Sequence, residues 1–157
     1  MAEWPEVGAI APEFDLPADN GKRVKLSQLR GGPVLLYFYP ADDTPGCTTE
    51  ACSFRDRQPE LKAAGVTVLG VSPDDVASHV KFRDKFNLNF PLLADVDHAV
   101  AEAYGAWREK NMYGKKSMGV ARSSFLIDAQ GVIRKVWKRV LVAKHDAEVI
   151  EALKLLS

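Results

Sequence analysis

The 157-residue chain has few cysteines, no excess of either charge and no long apolar run. Each shortage excludes something. Two cysteines are too few for the disulfide scaffold of a small secreted domain, so in a reducing cytosol they are either inert or chemically active. Lysine plus arginine (21) equals aspartate plus glutamate (21), so the basic excess typical of nucleic-acid binders is missing. The longest uninterrupted apolar run covers residues 34–39, only six residues. A membrane-spanning helix needs about 18 or more and a signal peptide roughly 7 to 15. The opening Met1-Ala2-Glu3-Trp4-Pro5 has neither a basic head nor an apolar stretch. The expectations are no membrane, no nucleic acid and a cytoplasmic location.

With 46% hydrophobic and 27% charged residues, the composition is that of an ordinary soluble protein. The length favours one domain over residues 1–157, able to bury a core without disulfide staples. No repeat, low-complexity block or linker interrupts it. Asp19-Asn20-Gly21-Lys22 reads as a tight turn, with polar and apolar residues alternating over 23–26. Residues 34–39 fit a strand covered on both faces. A helical segment follows over about 44–64, and Pro59 predicts a break just before it because proline lacks a backbone donor. Residues 66–71 read as a second buried strand. Ser72-Pro73-Asp74-Asp75 reads as a helix start capped by Ser72, the helix running to about residue 86.

A short strand over 90–93, an acidic loop and a short helix over about 98–104 come next. Residues 112–118 read as a mobile loop. Residues 124–127 and 132–138 form a hairpin about Asp128-Ala129-Gln130-Gly131, and Val149, Ile150, Leu153 and Leu156 share a final helical face. This alternation predicts a three-layer α/β domain, a mixed central sheet flanked by helices.

The chemistry concentrates in residues 40–52, Pro-Ala-Asp-Asp-Thr-Pro-Gly-Cys-Thr-Thr-Glu-Ala-Cys. Thr44 then Pro45 resembles an N-cap and first helical residue, which places Cys47 in the first turn. There the unpaired backbone N–H groups and the helix dipole favour an anion, and a thiolate is one. Ionisation alone is a weak catalyst, so donors aimed at charge developing on the substrate must supply the rest. Cys52 lies five residues on. In an intact helix the two Cα atoms would be about 8.5 Å apart, whereas a disulfide needs them within about 7 Å. Pairing would require the first turns to unwind. A thioredoxin-type pair is Cys-x-x-Cys, and two cysteines with His79, His98 and His145 scattered make a poor zinc cage. Spacing alone leaves a Cys–His hydrolase open, though no other feature calls for one. Asp42, Asp43 and Glu50 read as a solvated loop face, as does the exposed side of the basic run 134–139.

The motif Pro40-x-x-x-Thr44-x-x-Cys47 resembles the active-site motif of peroxiredoxins, and the spacing to Cys52 is similar to that of the bacterioferritin-comigratory (PrxQ) subgroup. The likeness extends over residues 8–16, the Phe-Tyr-Pro strand end, residues 104–107 and residues 119–128. Ala41 departs from it, since many relatives carry lysine there. The resemblance implies a thioredoxin-like fold and reduction of hydrogen peroxide and organic hydroperoxides by thiol chemistry, without a cofactor or metal. It makes Cys47 the peroxidatic cysteine, oxidised to a sulfenic acid, and Cys52 the resolving cysteine of an intramolecular disulfide. Arg122 would stabilise the thiolate and orient the peroxide, Thr44 would hydrogen-bond peroxide or sulfur, and Pro40 would shield the site. Glu50 sits where relatives carry an acid. Thioredoxin or a similar dithiol protein would be the reductant, and the subgroup includes monomers and dimers. Two readings stay beside it: a thiol-disulfide oxidoreductase or redox relay on the same fold, and a redox-switched binding protein.

Overall fold

The computed structural model describes residues 3–156. Nine strands are β1 (Asp15–Pro17), β2 (Arg23–Lys25), β3 (Val34–Phe38), β4 (Thr67–Ser72), β5 (Leu92–Ala94), β6 (Trp107–Met112), β7 (Lys115–Val120), β8 (Ser123–Ile127) and β9 (Ile133–Trp137). Five helices are α1 (Pro45–Asp56), α2 (Gln58–Ala63), α3 (Val76–Phe86), α4 (Ala99–Ala103) and α5 (Val142–Leu153). The central sheet runs β5-β4-β3-β8-β9. β3, β4 and β5 are parallel, while β8 is antiparallel to β3 and to β9. This is the mixed sheet of the thioredoxin-like fold.

β3 occupies the centre because every one of its side chains is apolar or aromatic and every one is buried. Period-two alternation divides them. Val34, Leu36 and Phe38 join one core with Phe14, Leu16, Ala101, Tyr104, Phe125 and Ile127. Leu35, Tyr37 and Tyr39 join the other with Cys47, Ala51, Phe54, Phe82 and Val149. The helices α1, α3 and α5 therefore cover one face, and α4 with the N-terminal ribbon β1–β2 covers the opposite one. The Cys47 face has its own aromatic packing: Tyr37 lies 5.1 Å from Phe54 and 5.5 Å from Tyr39, ring centre to ring centre. Gly70 opposite is required, since a Cβ there would sit 2.9 Å from Tyr37 Oη.

The expected helix over 44–64 breaks at Arg57, just before the Gln58-Pro59 step, into α1 and α2. Several boundaries differ from expectation. Ser72 is the buried last residue of β4, and its hydroxyl donates to Asp74 Oδ2 at 2.7 Å. The cap of α3 is instead Asp75, whose carboxylate accepts from Ser78 N–H at 2.8 Å. The strand expected over 90–93 is β5, shifted towards its C-terminal end. Leu156 leaves the α5 face for a closing 3-10 turn. Residues 112–118, expected as a mobile loop, belong to the antiparallel ribbon β6–β7. Its turn places Tyr113 at φ 53° and Gly114 at φ 79°, the pair of positive values that two-residue hairpin turns use.

Candidate active site

The segment between β3 and α1 brings Cys47 to the edge of the buried sheet. Thr44 is the N-cap, extended at φ −95° and ψ 155°, and Pro45 is the first helical residue. Thr48 N–H closes the first helical bond onto Thr44 O at 2.8 Å. The Gly46 and Cys47 N–H groups precede it and have no partner within the helix, which gives the sulfur the positive end of the dipole. The Thr44 hydroxyl caps no N–H. It donates to Ala41 O at 3.0 Å, which fixes its rotamer and leaves its oxygen free to accept. Pro40 follows Tyr39 directly and is half-buried.

Arg122 comes from the short link between β7 and β8 and is the residue that completes the site. Its Nη2 donates to Cys47 Sγ at 3.2 Å, and its Nη1 donates to Glu50 Oε1 at 2.9 Å. One planar guanidinium thus bridges the thiol and a carboxylate one helical turn further along α1. Gly46 makes room for it: a Cβ there would lie 3.1 Å from Arg122 Nη2. Cys47 is 1% exposed and Glu50 0%. Burial pushes the Glu50 carboxyl up to about 7, although the charge and hydrogen bond of Arg122 pull it down. Its Oε2 has no partner among the described residues, so half of the carboxylate is dry and unpaired. Burial also holds the Arg122 guanidinium back, but Glu50 and Cys47 outweigh it and its pKa rises.

Cys52 lies in the same unbroken helix, half-buried, and both cysteines are free thiols. The structure therefore brings Thr44, Cys47, Glu50 and Arg122 together and holds Cys52 away on the helix.

Sequence reasoning missed how the preceding loop is held. Asp42 is not on a solvated face. Its Oδ1 accepts from Tyr39 Oη at 2.6 Å, and its Oδ2 accepts from Ser78 Oγ at 2.7 Å and faces His79 Nδ1 at 2.8 Å. His79 Nε2 meets Leu93 O at 2.9 Å. A carbonyl can only accept, so Nε2 carries a proton, and Nδ1 is the ring nitrogen that faces the Asp42 carboxylate. Burial alone would lower the His79 pKa, but the Asp42 bond and charge and the Leu93 carbonyl raise it overall. Asp43 remains exposed and pairs with Lys85 at 2.7 Å. The signal for this network was a histidine and an aspartate 37 residues apart, which no local motif links.

Comparison with known proteins decides the family. The AhpC/TSA family model matches residues 7–136. The chain belongs to the AhpC/TSA family. Within it, this peroxiredoxin is 47% identical to peroxiredoxin Bcp of Bacillus subtilis over 152 residues, 97% of each chain. It is 40% identical to the bacterioferritin comigratory protein of Xanthomonas campestris, a protein with alkyl peroxide reduction activity. That structure superposes with TM-score 0.88 over 99% of this chain and 97% of the other. PrxQ of Xylella fastidiosa superposes with TM-score 0.92 at 34% identity, over 99% and 98%. The chain is therefore a Bcp/PrxQ-type peroxiredoxin and a thiol-dependent peroxidase. Among the described residues no helix is long and apolar enough to cross a membrane.

Proposed function

We propose that this peroxiredoxin reduces hydrogen peroxide and alkyl hydroperoxides at Cys47, resolves the product with Cys52, and returns to the dithiol through a thioredoxin-type protein. The observation that carries this reading is the Arg122 bridge: a fixed cation 3.2 Å from a sulfur that also lies in the first turn of a helix. Both features favour the thiolate, which is the attacking species. The thiolate sulfur attacks the terminal oxygen of R–O–O–H. The S–O bond forms as O–O breaks, Cys47 becomes Cys–S–OH, and the alkoxide RO⁻ leaves and takes up a proton to give ROH. Sulfur loses two electrons and the peroxide gains them.

Thr44 Oγ1 would accept from the peroxide O–H, and Arg122 would steady charge on the oxygens as they separate. Glu50 fixes the guanidinium plane through Nη1, and Pro40 contributes cover without a backbone donor. The Cys52 thiolate then attacks the sulfenic sulfur and expels water (as hydroxide plus a proton), forming Cys47–S–S–Cys52. In the helix observed, the Cα atoms of residues five apart are about 8.5 Å apart, so α1 unwinds locally before this bond closes. A thiol pair on the reductant regenerates both thiols by exchange.

Hydroperoxide-driven thiol loss, followed by stopped-flow near pH 7 with intact mass on each product, tests the assignment. Wild type should lose two hydrogens, Cys52→Ser should gain one oxygen, and Cys47→Ser should not react. A wild-type rate no faster than that of a free thiol sinks the reading.

A further inference from the structure

The Thr44 hydroxyl is aimed from outside its own loop. Thr44 Oγ1 donates to Ala41 O at 3.0 Å. The other side of that same Ala41–Asp42 peptide, the Asp42 N–H, donates to Asp74 Oδ2 at 2.8 Å. The peptide is trans, so the C=O and N–H of this planar unit point in opposite directions. Its tilt is set from one side by the Asp74 carboxylate and read from the other by the Thr44 hydroxyl. Asp43, at φ 58°, makes the left-handed turn that brings Thr44 back to Ala41 O, a conformation aspartate tolerates.

Asp74 is itself held. Ser72 Oγ donates to Asp74 Oδ2 at 2.7 Å and accepts from Asp74 N–H at 3.2 Å. Ser72 is the buried last residue of β4, in register with Ala94 of β5. A rigid strand end thus fixes a carboxylate, the carboxylate fixes a peptide plane, and the plane fixes the hydroxyl three residues ahead of Cys47. The Asp42 side chain is turned elsewhere, to Tyr39, Ser78 and His79. Hydrogen bonds in such a row polarise one another. The Asp74 charge makes Ala41 O a stronger acceptor, which leaves the Thr44 oxygen better able to accept from a peroxide O–H.

We propose that Asp74 is a positioning residue for peroxide reduction, aiming the Thr44 hydroxyl through the Ala41–Asp42 peptide. This rests on the peroxidase reading given above. The bond changes are those already written, and Asp74 enters them only through Thr44.

A double-mutant cycle tests it, in a Cys52→Ser parent so that a single thiol is read. Second-order rate constants for Cys47 oxidation by hydrogen peroxide are measured by stopped-flow on the parent, Asp74→Ala, Thr44→Val and the pair combined. Cys47 ionisation is followed in each by thiolate ultraviolet absorbance. Asp74→Ala should slow oxidation by about ten- to a hundredfold, the scale of a displaced reacting group. The Cys47 titration should stay where it is, because Arg122 reaches the sulfur from a different element. Added to Thr44→Val, Asp74→Ala should change the rate by less than about twofold. Asp74→Asn, whose carbonyl oxygen can still accept from the Asp42 N–H, should recover most of the loss. An Asp74→Ala rate equal to the parent's overturns the proposal. So does an equal fall with and without the Thr44 hydroxyl, or a Cys47 titration moved far enough to account for the loss. If the alanine variant does not fold, Asp74→Ser, too short to reach the amide, takes its place in the same cycle. A parent that reacts no faster than a free thiol would instead sink the underlying peroxidase assignment.

Discussion

Replacing Glu50 by glutamine should make the reduced protein more stable, and the gain should depend on pH in a calculable way. Glu50 is fully buried, one of its oxygens has no partner among the described residues, and its carboxyl rises from the ordinary 4.5 to about 7 on folding. Between those values the native protein holds a proton that the unfolded chain has released. Raising the pH therefore favours unfolding. The native advantage is complete below pH 4.5, declines from there, and is gone once the pH passes 7. At 1.36 kcal/mol per pKa step the loss amounts to about 3 kcal/mol. Glutamine has the same shape and has no proton to lose. It should match the wild type in acid and exceed it by about 3 kcal/mol at pH 8, or roughly 6 to 12 °C in Tm for a chain of this length. Urea unfolding from pH 4 to 8.5 in excess reductant, followed by tryptophan fluorescence, gives both curves. A stability difference that stays constant, or that narrows as pH rises, refutes the argument. Peroxidase activity should move in the opposite direction, because Arg122 loses its charged anchor.

Three further outcomes follow from the geometry. Hydrogen–deuterium exchange should show residues 45–56 losing protection on peroxide treatment of wild type but keeping it in Cys52→Ser, which has no partner thiol. His79→Gln breaks a buried ion pair and should cost about 3 to 5 kcal/mol; because the folded pKa of His79 is raised, that deficit should be full below pH 6.5 and shrink as pH rises through the folded value, in paired denaturation curves. Gly46→Ala should cost little stability or even add some, since alanine is about 1 kcal/mol better in a helix. Its methyl would nevertheless displace Arg122 Nη2, now 3.1 Å from the Cβ position, so kcat/KM for hydrogen peroxide should fall.

How much the sequence revealed depended on whether the deciding contact was local. The β3 run 34–38 and the break before Pro59 were legible because composition and a missing donor act within a few residues. The Thr44-Pro45 helix start with Cys47 in its first turn was legible for the same reason, and Arg122 came through the family motif. Ser72 deceived because Ser-Pro-Asp-Asp carries the chemistry of a cap, yet sheet pairing continues through Ser72 and passes the role to Asp75. The β6–β7 ribbon was hidden because it stands apart from the central sheet with mostly exposed β7 side chains, so no hydrophobic alternation marks it. Asp42 looked solvated because its partners, Ser78 and His79, are supplied by α3.

The Asp42–His79 lock has a mechanical meaning for disulfide formation. It clamps the chain just ahead of α1 to α3, and further along Phe54 is wedged edge-on against His145 of α5 at 5.8 Å. The stretch carrying both cysteines is thus a span fixed at each end, with slack only in the two or three turns between. When the helix gives way, the sulfurs can travel towards each other but not away, and a short leash replaces a wide search. The break at Arg57 keeps that movement from pulling on α2. Severing the forward clamp should therefore leave peroxide attack possible while slowing resolution, which would leave the sulfenic acid exposed for longer to a second oxidant molecule.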